Sequence, residues 1–132
     1  MSTRDVIYII DDDQIYQFTT KKALEILGFQ NKIKSFLDGE EAMNFISNNI
    51  ENEEELPDII FLDINMPIMN GYEFLDEFLS VNSKFTKKVT IHLVSSSVDQ
   101  VDIDKAEKNS HIASYITKPI KIEKLKTILD NF

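Results

Sequence analysis

An α/β fold built on a doubly wound, five-stranded parallel sheet is predicted by two features of the sequence. Five short apolar segments alternate with five segments of helical periodicity, and no connection has the pattern of a hairpin. The apolar segments are continuous, which is typical of strands that helices bury on both faces. Strands and helices that alternate in this way form a parallel sheet with right-handed crossovers. The 132 residues suffice for one domain with a single sizeable core.

Local patterns locate the individual elements. Apolar runs predict strands at residues 6–10, 33–36, 59–62, 89–94 and 113–116. Helical periodicity predicts helices at residues 14–27, from 38 to about 50, at 72–79, through 103 and 106, and at 121–130. Asp13, Asp38 with Glu41, and Asp99 or a neighbour are the expected N-terminal caps of the first, second and fourth helices. Gly28 is the expected C-terminal stop of the first helix.

The composition limits the classes of partner. With 23 acidic and 14 basic residues the formal charge is −9, which opposes binding to nucleic-acid phosphates and favours metal cations. The absence of cysteine excludes disulfides and thiolate chemistry. The N-terminus lacks a signal pattern, and no apolar run approaches the roughly 20 residues of a membrane span. We therefore expect a cytoplasmic protein that binds neither nucleic acid nor membrane directly.

Polar side chains follow four of the predicted strands. Asp11 and Asp12 come after the first strand, Asp63 after the third, Ser95 after the fourth and Lys118 after the fifth. Because the carboxyl ends of parallel strands share one rim, we expect these side chains to meet there. In the flavodoxin-like strand order 2-1-3-4-5, the first and third strands are neighbours, so the acidic pair faces the third carboxylate.

Three carboxylates at one rim repel one another. At about 5 Å and an effective dielectric constant of about 20, one like-charge pair costs on the order of 3 kcal/mol. A bound cation or raised pKa values must relieve this repulsion. Since oxygen ligands select a hard ion, the sequence predicts a Mg²⁺ site that combines carboxylates, a carbonyl and retained waters.

These residues resemble those of a known family. The segment D-I-N-M-P-I-M-N-G, residues 63–71, is similar to the phosphoacceptor loop of response-regulator receiver domains. Asp11 and Asp12, then Ser95, then Lys118 with Pro119 extend the resemblance over almost the whole chain. It implies a single receiver domain over residues 1–132, acting without an output domain as chemotaxis and sporulation phosphorelay receivers do.

The resemblance also implies a role for each residue at the rim. Asp63 would accept a phosphoryl group from a histidine kinase or a histidine phosphotransfer protein. Asp12, Asp63 and the backbone carbonyl of Asn65 would hold Mg²⁺, with Asp11 beside them. Lys118 would pair first with Asp63 and then with a phosphoryl oxygen. The protein would then be a signalling domain rather than an enzyme, with self-phosphorylation and self-dephosphorylation chemistry of its own.

Signal output is implied by the same resemblance. The Ser95 hydroxyl would donate to another phosphoryl oxygen, and Tyr115 stands where the family has a switch aromatic. Phosphorylation would change the binding of a downstream protein, which the sequence does not identify. A cis peptide bond between Lys118 and Pro119 is implied as well.

The first helix carries an apolar residue on its outer side. Helical spacing divides this helix into a sheet-facing set, Tyr16, Thr20, Ala23 and Leu27, and a polar set, Gln17, Lys21 and Glu25. Phe18 then lies exposed, with Ile15 on its near flank. A stray surface aromatic is common. The sharper hypothesis is that Ile15 and Phe18 form an apolar patch beside the acidic rim, on which a histidine-bearing helix docks.

Two other functions remain open at this stage. A metal-dependent phosphatase or phosphotransferase that works through an aspartyl phosphate favours a second acid two residues after the nucleophile, where Asn65 stands here. A pseudo-receiver that binds partners independently of phosphorylation is expected to lack Asp12, Asp63 or Lys118, and all three are present.

Overall fold

The computed structural model describes residues 6–29 and 32–130. The described strands are β1 (Ile7–Ile10), β2 (Ile33–Phe36), β3 (Ile59–Asp63), β4 (Thr90–Ser95) and β5 (Ser114–Thr117). The described α-helices are α1 (Gln14–Ile26), α2 (Gly39–Ser47), α3 (Gly71–Val81), α4 (Gln100–Glu107) and α5 (Ile122–Asp130). Every predicted strand and helix is present, and most bounds differ from the prediction by one or two residues.

The five strands form one parallel sheet in the order β2-β1-β3-β4-β5, which confirms the predicted fold class and strand order. Ile10 of β1 is in register with Leu62 of β3. The next residues, Asp11 and Asp63, therefore lie side by side at the carboxyl ends of β1 and β3. Strand β4 lies on the other side of β3 and carries Ser95 to the same rim.

The core consists of two apolar layers, one on each face of the sheet. On one face, Tyr8, Ile10, Ile60 and Leu62 pack with residues of α2 and α3. On the other face, Ile7, Ile9, Ile59 and Phe61 pack with residues of α1 and α5. Since both faces are covered, the strands need the continuous apolar runs seen in the sequence. The rim at the strand ends stays open for polar side chains.

The helix ends follow the predicted capping chemistry. The side chains of Asp13, Asp38 and Asp99 accept backbone N–H donors at the starts of α1, α2 and α4. The reciprocal capping box occurs at α3, between Asn70 and Glu73. Gly28 follows α1 with φ of 97°, a conformation that favours glycine. In the described ranges, 6–29 and 32–130, no helix is long and apolar enough to cross a membrane.

The predicted face of α1 is wrong at one residue. Gln17, placed with the polar set, is buried, and its side-chain amide donates to the backbone oxygens of Ile9, Asp11 and Phe36. Leu24 is fully buried as well. The buried stripe is therefore turned toward Gln17, because a carboxamide can satisfy the carbonyls at the ends of β1 and β2. Helical periodicity assigns a glutamine to the polar face, because the pattern contains no information about acceptors on other elements.

Candidate functional site

Three carboxylates converge at the rim of the sheet. Asp11 and Asp12 follow β1, and Asp63 ends the neighbouring β3; one carboxylate oxygen from each residue lies within 4.8 Å of the others. Asp63 is 5% exposed and Asp11 1% exposed, whereas Asp12 lies at the surface. The rim therefore forms a pocket with two buried carboxylates and an open acidic side.

Lys118 brings the positive charge into this pocket. Its ammonium lies 2.7 Å from Asp11 Oδ2 and 3.5 Å from Asp63 Oδ1. The loop after β5 is held in place because the Lys118 N–H donates to the Ser95 carbonyl at 2.8 Å, and the peptide bond to Pro119 is cis, as the resemblance implied. The ammonium also lies 4.6 Å from the centre of the Tyr16 ring. Helical spacing places Tyr16 toward the sheet, but its cation–π contact with Lys118 is apparent only in the tertiary structure.

The electrostatics of the pocket reflect burial and crowding. Burial and the nearby charge of Asp11 raise the pKa of Asp63 to about 6, and Lys118 offsets only part of this rise. Burial likewise raises the pKa of Asp11. Burial opposes the Lys118 ammonium, but contacts with Asp11 and Asp63 outweigh it and raise its pKa. The single positive charge of Lys118 therefore does not balance the negative charges of the three carboxylates.

The donor set fits a hard divalent cation. Oδ2 of Asp11 is buried, and the Lys118 ammonium lies 2.7 Å from it. One carboxylate oxygen each from Asp11, Asp12 and Asp63 can be a ligand, and Mg²⁺ prefers such oxygen ligands. Asn65 lies exposed two residues after Asp63, in the loop that borders the pocket.

Gly71 allows α3 to start close to Asp63. A Cβ at this position would overlap the backbone oxygen of Asp63 and come within 3.1 Å of its carbonyl carbon. The Gly71 N–H donates to the Ile64 carbonyl at 2.8 Å, which closes the loop after β3. A side chain at residue 71 would therefore push the loop away from the carboxylate pocket.

Ser95 and Tyr115 are joined through Ser97. Ser95 is buried at the end of β4, and its Oγ accepts the Ser97 N–H at 3.1 Å. The Tyr115 hydroxyl donates to the Ser97 carbonyl at 2.8 Å, and Ser97 Oγ donates to Asp102 of α4 at 2.7 Å. Ser97 thus connects the pocket rim, β5 and α4, a role that no local pattern in the sequence indicates.

The two residues of the predicted docking patch lie at the start of α1. Ile15 is 80% exposed and Phe18 64% exposed, so the expectation of an exposed phenyl ring is confirmed. Both belong to the first two turns of α1, which begins directly after acidic residues 11–13. A third apolar side chain on α1, Ile26, is 76% exposed, but it lies at the opposite end of the helix.

Fold and pocket together define a doubly wound α/β protein whose site combines clustered carboxylates with one lysine. The chain belongs to the response-regulator receiver family, since the family model described as "Response regulator receiver domain" matches residues 7–130. Receiver domains of this family are the phosphoacceptor signalling domains of two-component systems, not enzymes in the ordinary sense. The resemblance noted in the sequence is confirmed.

Relatives and solved structures agree with this family. The chain is 28% identical over 126 residues to the probable C4-dicarboxylate response regulator DctR of Bacillus subtilis, covering 96% of this chain and 51% of DctR. It is 26% identical over 125 residues to the probable methanogenesis regulatory protein FilR2 of Methanothrix harundinacea, covering 95% of this chain and 79% of FilR2. A two-component response regulator from Cytophaga hutchinsonii superposes with a TM-score of 0.85 at 31% identity, covering 96% of this chain and 95% of that one.

Proposed function

We propose that Asp63 is the phosphoacceptor and that it takes a phosphoryl group from a histidine kinase or a histidine phosphotransfer protein. The observation that carries this proposal is the pocket itself, in which oxygens of Asp11, Asp12 and Asp63 lie within 4.8 Å of one another with the Lys118 ammonium 3.5 Å from Asp63. Among the three carboxylates, Asp63 is the one at the centre of the sheet, on β3 between β1 and β4.

Each residue of the pocket has a part in the transfer. A Mg²⁺ ion held by Asp12, Asp63 and the Asn65 carbonyl, with Asp11 beside them, would neutralise charge on the transferred group. An Asp63 oxygen attacks phosphorus, the phosphorus–nitrogen bond to the donor imidazole breaks, and the nitrogen keeps the electron pair. With a pKa of about 6, Asp63 is mostly ionised at neutral pH and can act as this nucleophile.

Lys118 and Ser95 then hold the product. The Lys118 ammonium turns from the carboxylates to a phosphoryl oxygen, and the Ser95 hydroxyl donates to another. The Tyr16 ring beneath the ammonium limits where it can move. We also propose that water hydrolyses the aspartyl phosphate in this pocket, whose Asp12 side is open to solvent.

The output pathway is proposed to run through Ser97. When Ser95 moves toward the phosphoryl group, its contact with the Ser97 N–H changes, and so does the loop that holds Tyr115 and Asp102. The surface of α4, β5 and α5 would then present a different face to a downstream protein. Cytoplasmic location and action without an output domain stay predictions.

Phosphodonor docking is proposed at Ile15 and Phe18. These exposed apolar side chains adjoin the acidic residues after β1, so a histidine-bearing helix seated on them would bring its imidazole toward Asp63. Protein interfaces obtain most of their binding energy from a few buried anchor side chains.

The test is phosphorylation with acetyl phosphate and Mg²⁺, read by intact mass and by mapping the modified residue. Wild type is expected to gain one phosphoryl group on Asp63, and chelation of the metal is expected to abolish the gain. Asp63→Asn is expected to gain none, whereas Asp76→Asn, an exposed aspartate of α3, is expected to behave as wild type. Uptake by Asp63→Asn, or uptake that survives chelation, would show that the assignment is wrong.

A further inference from the structure

A second cavity lies at the opposite end of the strands from the acidic pocket. Its volume is about 490 Å³, and it opens beside the first residues of β4 and β5 and the middle of α5. Residues that line it include Lys88, Thr90, His92, Ser114, Lys124 and Ile128. Because the acidic pocket lies at the carboxyl ends of the strands, a molecule bound here would not touch Asp63.

Two charged residues line this cavity, and both are lysines, Lys88 and Lys124. In the described part of the chain, neither Lys88 nor Lys124 has an acidic partner within 4.0 Å. Of the described residues that line the cavity, none is acidic, although the formal charge of the whole chain is −9, so the two ammonium groups face no opposing charge in the lining. Their field favours an anion there.

His92 supplies a neutral donor on the cavity wall. Its ring is buried, stacks on Phe61 with 5.6 Å between ring centres, and has Nδ1 2.6 Å from Ser114 Oγ. Burial, followed by the charge of Lys124, lowers the pKa of His92 to about 4, so the ring is uncharged at neutral pH. When the Ser114 hydroxyl donates to Nδ1, the ring proton is on Nε2 of this cavity-lining residue.

We infer that this cavity binds a small organic oxyanion, with its carboxylate or phosphoryl group between Lys88 and Lys124 and within reach of the His92 N–H. The apolar part of the ligand would lie against Ile128 and the lysine methylenes. A volume of about 490 Å³ exceeds the space that a bare oxyanion fills and is typical of small-molecule sites.

Binding of three small molecules to the cavity distinguishes the effect of ligand charge from that of ligand shape. Benzoate and phenylphosphonate carry a ring and an oxyanion, whereas benzyl alcohol carries the same ring without charge. The chain has two histidines, so proton NMR in metal-free buffer of constant ionic strength gives one reporter in the cavity, His92, and one in an exposed turn, His111. We expect either or both anions to shift the His92 ring signals saturably, and benzyl alcohol to shift them much less. The affinities of benzoate and phenylphosphonate show whether the site prefers a carboxylate or a phosphoryl-type headgroup.

Variants of the two lysines test the assignment further. Replacing both Lys88 and Lys124 by Gln is expected to weaken binding about tenfold or more, because charge-assisted contacts are lost. The corresponding double Arg variant is expected to keep binding, and Lys108→Gln, at the exposed end of α4, is expected to match wild type. Acetyl phosphate labelling of all these variants is expected to be unchanged. No saturable His92 shift with either anion, an equal shift with benzyl alcohol, or undiminished binding by the double Gln variant would overturn the inference.

Discussion

The Lys118 ammonium is paired with Asp11, since Nζ lies 2.7 Å from Oδ2 of that carboxylate. The distance from Nζ to Asp63 Oδ1 is longer, at 3.5 Å. The lysine therefore compensates the charge of the buried acidic pair and is not bound to Asp63 alone. A cation that entered the pocket would have to share these carboxylates with the ammonium, so Lys118 is predicted to compete with the metal and, in the proposed mechanism, to pair with the phosphoryl group.

Lys118→Gln separates these two roles. Without the ammonium, the carboxylates attract a divalent cation more strongly, so we expect the Mg²⁺ affinity to rise several-fold in calorimetry. Phosphoryl uptake from acetyl phosphate is expected to slow by at least about 100-fold, because a charged donor to the transferred group is lost. Lys108→Gln, away from the pocket, serves as the control. Weaker Mg²⁺ binding by Lys118→Gln would show that the lysine does not compete with the metal.

Asp63 gives the metal-free protein a pH-dependent stability. Its pKa is about 6 in the folded protein against an ordinary value of 3.8, so between these values the folded state binds more protons than the unfolded state. The contribution of Asp63 to the free energy of unfolding therefore falls as the pH rises from about 4 to about 6. Asp63→Asn removes this loss, and we expect urea unfolding near neutral pH to give a free energy higher by on the order of 1 kcal/mol.

The same experiment contains its own controls. At about pH 4 and below, Asp63 is protonated in the folded state, so the advantage of Asp63→Asn is expected to shrink. Added Mg²⁺ is expected to stabilise wild type more than the variant, since Asp63 is a proposed ligand. A stability difference between Asp63→Asn and wild type that does not grow from about pH 4 to neutral pH would contradict the raised pKa of Asp63.

Gln17 is predicted to support the rim of the sheet. Its amide donates to the carbonyls of Ile9, Asp11 and Phe36 at 3.1, 3.0 and 2.8 Å, which ties the end of β1 to the end of β2. Gln17→Leu leaves buried acceptors without this donor and is expected to cost about 1–3 kcal/mol in urea unfolding. Gln14→Leu, at an exposed position of α1, is the matched control. Equal stability of the two variants would mean that these bonds contribute little.

The conformational response of α4, β5 and α5 to phosphorylation is predicted to depend on Tyr115. A beryllofluoride complex, which mimics the phosphoryl group, is expected to shift amide resonances over residues 99–131 in addition to those of the pocket. Tyr115→Phe lacks the hydroxyl that donates to the Ser97 carbonyl, so we expect smaller shifts in α4 while the pocket still responds. Shifts confined to the acidic pocket of wild type would argue against this pathway.

Phe18 is predicted to act in docking and not in folding. Because the ring is 64% exposed, Phe18→Ala is expected to leave thermal stability and acetyl phosphate labelling nearly unchanged. Transfer from the cognate histidine protein is expected to slow about tenfold or more, the loss of one apolar anchor. Ile26→Ala, equally apolar but at the far end of α1, is expected to transfer at the wild-type rate. An equal loss of phosphorylation rate with acetyl phosphate and with the histidine protein would indicate that Phe18 contributes to folding and not to docking.

The sequence alone determined the strands, the sheet and the residues of the acidic pocket. Apolar runs that end on Asp11 and Asp63 define both the strands and their rim, because parallel strands put their carboxyl ends together. Capping by Asp13 and Asp99, and the exposure of Phe18, also follow from local spacing. These properties depend on neighbours a few residues away, which is the range over which a sequence pattern carries information.

Tertiary structure alone decided what the side chains bind across elements. Gln17 is buried because carbonyls of two strands lie within its reach, and helical periodicity cannot show acceptors that come from elsewhere in the chain. The preference of Lys118 for Asp11, the place of Ser97 between Ser95 and Tyr115, and the pairing of His92 with Ser114 are of the same kind. Each depends on distances set by packing between elements far apart in the sequence, and differences of about 1 Å decide which contact forms.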